Sequence, residues 1–170
     1  MTYTTEQEQI EQIKRWWKEY GKSLVIGLAL GVGAIFAWRA WTGYQRSQAE
    51  QASIAFQRFL GAGPRALEQG AHILEAYPST PYAFFSALLL ARGEAEGGQR
   101  PSAKNHLVWA EEHAPHALLA PIPRLRLARL SLDEGHPKEA LSHLEGVPEA
   151  YAVLAFEIRG DAYASLKDRE

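Results

Sequence analysis

The chain has 170 residues, enough for about one folded domain plus a tail or an anchor. Hydrophobic residues make up 46% and charged residues 22%, which excludes both a disordered chain and a wholly membrane-embedded one. The net charge of −2 divides into five Lys/Arg against four Asp/Glu over residues 1–44 and thirteen against sixteen over residues 45–170, so neither part carries a basic footprint for nucleic acid.

The first predicted element is a short helix over Thr5 to Tyr20. Ile10, Ile13 and Trp17 recur at i, i+3 and i+7, with Lys14, Arg15 and Lys18 beside them. Such a helix suits the headgroup layer of a bilayer, ahead of a segment that enters it. That segment follows at once. Sixteen uncharged residues, Ser23 to Trp38, lie between Lys22 and Arg39. At about 1.5 Å per residue they reach roughly 24 Å, against a hydrocarbon core of roughly 30 Å. The flanks supply the rest, because Lys22 and Arg39 can lay their aliphatic stems along the span and extend their charges into the headgroups. Trp16, Trp17 and Tyr20 precede the run, and Trp38, Trp41 and Tyr44 close it, as in an interfacial aromatic belt.

The expected organisation is therefore a cytoplasmic segment over 1–22, a transmembrane helix over 23–41 and a further domain over 45–170. A buried core helix would have to tolerate Gly27, Gly31 and Gly33, which weaken a helix in water. A cleaved signal peptide would end in a small-x-small site, where this chain has Phe36, Trp38 and Trp41. Lys14, Arg15, Lys18 and Lys22 crowd the N-terminal side, whereas Arg39, Arg46 and Arg58 are dispersed. The positive-inside rule then puts the N-terminus in the cytoplasm and residues 45–170 across the membrane, which is the periplasm in a Gram-negative cell. The pattern is that of a single-pass type II membrane protein. Ser23, Gly27 and Gly31 form a ridge of small residues four apart, a candidate contact for another transmembrane helix. Glycine is also simply common in membrane helices.

From Ser47 onward the predicted elements are all helices. No sustained period-two alternation and no Asn-Gly or Asp-Gly hairpin occurs. Breaks fall at Gly61–Pro64, Pro78–Pro81, Gly97–Pro101, Pro115, Pro121–Pro123, Gly135–Pro137 and Gly146–Pro148. The helices between them recur in the manner of tetratricopeptide repeats. With Ala91 at the small position of a first helix, Gly98 marks the turn, and Ala103, Leu107, Ala110 and Pro115 follow at the expected offsets. Ala128, Gly135, Ala140 and Leu144 fill the same slots 37 residues on, and Gly160 follows after 32 more, with Tyr163 behind it. Two helices of a hairpin approach closely only where side chains are small, so Ala91 should face Ala103, and Ala128 should face Ala140.

The match is incomplete. Ala87 and Arg124 stand where a large aromatic is usual, although Phe156 fits, and residues 47–78 keep only Ala66 and Pro78 of the pattern. An unrelated array of helix hairpins would share several of these features. The expected fold is all-α: one N-terminal transmembrane helix followed by antiparallel, TPR-like hairpins in a right-handed superhelical array. The third repeat has one arm before Glu170, so its apolar flank of Tyr163 and Leu166 is expected to be covered by further chain or by a partner.

No catalytic constellation emerges. The absence of cysteine excludes disulfides, thiolate metal sites and cysteine nucleophiles. His113 and His116 neighbour Glu111 and Glu112, but Pro115 interrupts the continuous helix that a zinc pair needs, and no third ligand is evident. Gly31-x-Gly33 lies inside the span and follows no strand. Asp133–Glu134 sits beside a turn, where a solvated pair is the ordinary reading. The expectation is no enzyme, no cofactor and no metal. What remains is surface. In a repeat superhelix the first helix of each pair lines the concave side. That register offers Phe85, Leu88 and Arg92, then Ile122, Leu125, Arg129 and Leu132, then Leu154, Glu157, Asp161 and Ala164. The mixture suits a protein or an extended peptide, though about half of such residues should prove to be ordinary interhelical packing.

The Gln/Glu-rich opening, the run EQIKRWWKEYGKSLVIGLALGVGAIFAW, and further on ASIAFQ, RLRLARL and RGDAY resemble the YfgM family of ancillary SecYEG translocon subunits. The likeness covers nearly the whole chain, though members usually continue through the rest of the last repeat. It implies an inner-membrane protein with a periplasmic tetratricopeptide-like domain. The implied partners are the SecYEG translocon and a PpiD-like periplasmic chaperone, in a co-chaperone role that hands translocated proteins onward. A periplasmic scaffold for another envelope or cytochrome assembly pathway would share the anchor and the repeats.

Overall fold

The computed structural model describes the backbone of residues 3–167; the outermost residues of the expected segments 1–22 and 45–170 lie outside the described residues. Seven α-helices occur among the described residues: α1 (Tyr3–Leu60), α2 (Ala66–Ala76), α3 (Pro81–Glu96), α4 (Arg100–Glu112), α5 (Pro121–Asp133), α6 (Pro137–His143) and α7 (Ala152–Lys167). No described residue is in a strand. The chain divides into two compact units at Arg46/Ser47.

In the first unit, the headgroup helix and the span expected as separate pieces are parts of α1. The sequence between Tyr3 and Leu60 contains no proline, and its glycines are scattered singly, so no residue forces a break. Its best 18-residue window has a mean hydropathy of 1.7 and is wholly exposed. The eight large apolar residues from Leu24 to Phe36 are all at least 44% exposed. A core helix of a soluble domain would hide such residues; a membrane span presents them to lipid. Trp17 lies flat along the helix over Gly21, where a Cβ would meet the indole ring at 3.2 Å.

The second unit is built from hairpins. Gly and Pro end its helices where the sequence expects. Gly63, Gly98, Gly135 and Gly146 all have positive φ, the left-handed region that lets a chain leave a helix and turn back. Pro81, Pro101, Pro121 and Pro137 each enter a first helical turn, where a missing N–H costs nothing. Thr80 caps α3, its hydroxyl accepting from the Ala83 N–H at 3.4 Å. Pro121 and Pro123 start α5 rather than interrupt it; the break lies in the preceding loop.

Three apolar clusters hold the unit. One joins α3, α4 and α5 through Phe84, Leu88, Ala91, Ala103, Leu107 and Leu127. A second joins α5, α6 and α7 through Leu125, Ala128, Ala140, Leu144 and Ile158. A third sets Phe59 from the end of α1 against Ile73, Ala83 and Leu90. Ala91 and Ala103 share the first cluster, and Ala128 and Ala140 the second, as the repeat register requires. Gly70 serves the same purpose where α2 meets α3: a Cβ there would meet Leu90 at 2.7 Å.

Candidate protein-interaction site

The exposed face of α3, α5 and α7 follows from which side each helix buries. Alanines and leucines at i, i+3, i+4 and i+7 turn into the clusters, so the opposite stripe of each helix faces water. Of the residues expected on that face, Phe85, Arg92, Arg129, Leu154, Glu157 and Asp161 are exposed, as is Ala164. Ile122 and Leu132 are half-buried against the two clusters. Leu88 and Leu125 correct the sequence reading. They are core residues, 5% and 6% exposed, because each closes the contact between its own helix and the next. The i+3 step that placed them beside Phe85 and Ile122 carries them past the edge of the exposed stripe.

Between α3, α4 and α5 lies a groove of about 240 Å³. Its floor is apolar, formed by Ala91, Ala95, Ala103, Leu107 and Leu130, and its rim holds Arg92, Arg126, Arg129 and Asp133. Arg92 and Arg129 were expected on this face and line the same groove. Arg126 was missed, because the register followed Ile122, Leu125 and Arg129. The signal available was its i, i+3 spacing from Arg129, which puts both on adjoining parts of one helix surface.

The electrostatics of the rim are uneven. Arg92 Nε donates to Glu96 Oε1 at 2.8 Å, and this bond raises its pKa above the ordinary arginine value. Arg129 Nη2 lies 3.5 Å from the Glu157 carboxylate on α7. Arg126 Nη1 donates to the Leu88 carbonyl at 2.9 Å. Burial, and then the Arg92 charge beside it, lower its pKa.

Elsewhere, charged pairs tie the helices together. His106 Nδ1 lies 2.7 Å from the buried carboxylate of Glu94, locking α4 to α3. Lys104 on α4 bonds to Glu139 on α6, which lowers the Glu139 pKa. Burial lowers the pKa of His143 on α6, whose Nε2 has no hydrogen-bond partner. His113 stacks on Trp109 at 4.0 Å, just after the end of α4. Among the described residues no three His, Asp or Glu side chains gather as metal ligands. In the first unit, a Cβ on Gly27 or Gly31 would meet nothing within 4 Å, and Ser23 is exposed beside them.

The sequence that builds this bare apolar helix and these small-residue hairpins is similar to that of known proteins. The tetratricopeptide repeat-like domain family matches residues 14–170. An ancillary SecYEG translocon subunit of Haemophilus influenzae is 32% identical over 178 residues, covering 99% of this chain and 86% of that protein. The chain belongs to the family of ancillary SecYEG translocon subunits. Relatives of the same name in Escherichia coli and Neisseria gonorrhoeae are 28% and 26% identical, covering 99% and 94% of this chain and 84% and 80% of theirs. No solved structure matches the chain significantly.

Proposed function

We propose that the protein is a membrane-tethered, non-catalytic adaptor and co-chaperone of the SecYEG translocon. Residues 1–22 are cytoplasmic, 23–41 cross the inner membrane and 45–170 lie in the periplasm. There the repeat domain binds a PpiD-like chaperone and assists the hand-over of translocated proteins. The observation that carries the reading is the wholly exposed apolar stretch of α1 in a chain whose other helices bury a TPR-like core. A helix with that exposure needs lipid around it. The basic cluster Lys14 to Lys22 supports the orientation. The names of the relatives support the translocon as the partner. The exposed residues Phe85, Arg92, Arg129, Leu154, Glu157 and Asp161 are the surface offered to protein, and the ridge Ser23, Gly27 and Gly31 is offered to a neighbouring span.

In-cell photo-crosslinking from Phe85 and from Gly27 tests this directly. Products containing the translocon or the chaperone are expected. Adducts confined to cytosolic proteins, or extraction of the full chain by carbonate, would overturn it.

A further inference from the structure

Three guanidinium groups share the α3–α5 groove, and their partners differ. Arg92 is matched by Glu96 and Arg129 by Glu157. Both are exposed pairs, of the kind that contributes little and exchanges partners at small cost. Among the described residues Arg126 has no carboxylate within ion-pairing distance. Its neighbours are a backbone carbonyl and the like charge of Arg92, and Asp133 on the same rim forms no ion pair with it. A guanidinium carries five N–H donors in a planar fork, and one Leu88 carbonyl leaves most of that fork open. Exposed on the groove rim and beside another cation, it is held in a state that a carboxylate would relieve.

The floor decides what else the ligand carries. It is apolar throughout, and its volume of about 240 Å³ is below the range of pockets that enclose whole small molecules, roughly 300–1,000 Å³. It has room for a side chain or two. Phe85 and Leu89, exposed on α3, add apolar surface on the same helix. A long polyanion is disfavoured, because residues 45–170 carry a net negative charge and would repel it beyond the groove.

We propose that this groove captures a protein segment with an acidic residue next to an apolar one. The carboxylate sits on Arg126, and the apolar side chain sits on the floor between Ala95, Leu107 and Leu130. This deepens the adaptor reading and rests on it, since it names the chemistry of the segment that the repeat domain recognises. Arg126 is the specificity residue. Arg92 and Arg129 are flanking cations that can leave Glu96 and Glu157 for the incoming chain.

The test uses the full chain in detergent and fluorescent peptides bearing a central Glu-Leu pair, with Gln-Leu and Glu-Ser twins, read by anisotropy. The Glu-Leu peptide should bind about tenfold tighter than the Gln-Leu twin, and its advantage should shrink with added salt. Arg126→Gln should abolish the preference, Arg126→Lys should restore part of it, and Arg100→Gln, away from the groove, should leave it intact. Helicity and thermal midpoint of each variant separate lost binding from lost folding. Arg92→Gln, which leaves the Leu88 bond in place, should weaken the preference even if Arg126→Gln unfolds. Equal binding of the twins, or a preference that survives Arg126→Gln in folded protein, overturns the proposal. Co-purification of the SecYEG translocon with the same sample is read in parallel. Its presence with no peptide preference removes the groove chemistry and leaves the adaptor; its absence removes the adaptor reading itself.

Discussion

The apolar stretch of α1 and the hairpins α3–α6 use small residues for opposite ends. In the hairpins, Ala91, Ala103, Ala128 and Ala140 are buried against one another's helices, where a larger side chain would hold the backbones apart. In α1, Gly27 and Gly31 face open space, and the leucines and isoleucines around them are exposed. The comparison teaches that small residues permit close approach without naming the partner. Where the partner is the next helix of the same chain, the contact is internal; in α1 the described residues provide none.

The comparison breaks most sharply in the hairpins. Leu107→Ala removes a buried side chain at the junction of α3, α4 and α5, and should cost about 2–5 kcal/mol in denaturant unfolding of the full chain in detergent. Gly70→Ala should cost about 1–3 kcal/mol in the same measurement, because Leu90 is only 2% exposed and has little room to move. No loss of stability in that variant would mean that α2 and α3 do not approach as closely as described.

Acid should sharpen the comparison by weakening the hairpins. Burial holds the His143 pKa below its ordinary value of 6.5, so the unfolded chain takes up that proton first. Stability is full above about pH 6.5 and falls as the pH drops through the folded-state value. Glu139, whose pKa Lys104 holds below 4.5, adds a second loss of the same sign beginning near that pH. The groups facing His143 are Glu139, Lys104, Glu111 and Arg124. Thermal midpoints followed across both windows should decline twice, and His143→Gln should remove the upper decline while leaving the lower. The smallest effect is expected in α1. Gly27→Leu should leave the hairpin unfolding transition within about 0.5 kcal/mol of its starting value. The same variant should alter crosslinking from the span if the ridge meets another helix.

Much of the second unit was legible because its signals are local. Pro and Gly mark its turns through backbone geometry alone, and the alanine spacing follows from helical periodicity. The candidate face was legible only in part. Phe85, Arg92, Arg129 and Glu157 emerged exposed, but Leu88 and Leu125 turned inward, because the edge of a buried stripe depends on the angle at which the next helix crosses. Spacing puts Arg126 on the same helix surface as Arg129, but its lack of an ion pair among the described residues is a property of what the other helices place around it.

By itself the sequence determined an uncharged, aromatic-bracketed run that water cannot accommodate, the ends of the helices, and the alanines at which hairpins close. Each depends on residues adjacent along the chain or one helical turn apart. Only the tertiary structure decided which arginines share a groove and which of them forms no ion pair among the described residues. Arg92 and Arg126 stand on different helices, and Glu157 reaches Arg129 from a third. Electrostatic energy depends on distance through space, and packing between helices sets that distance.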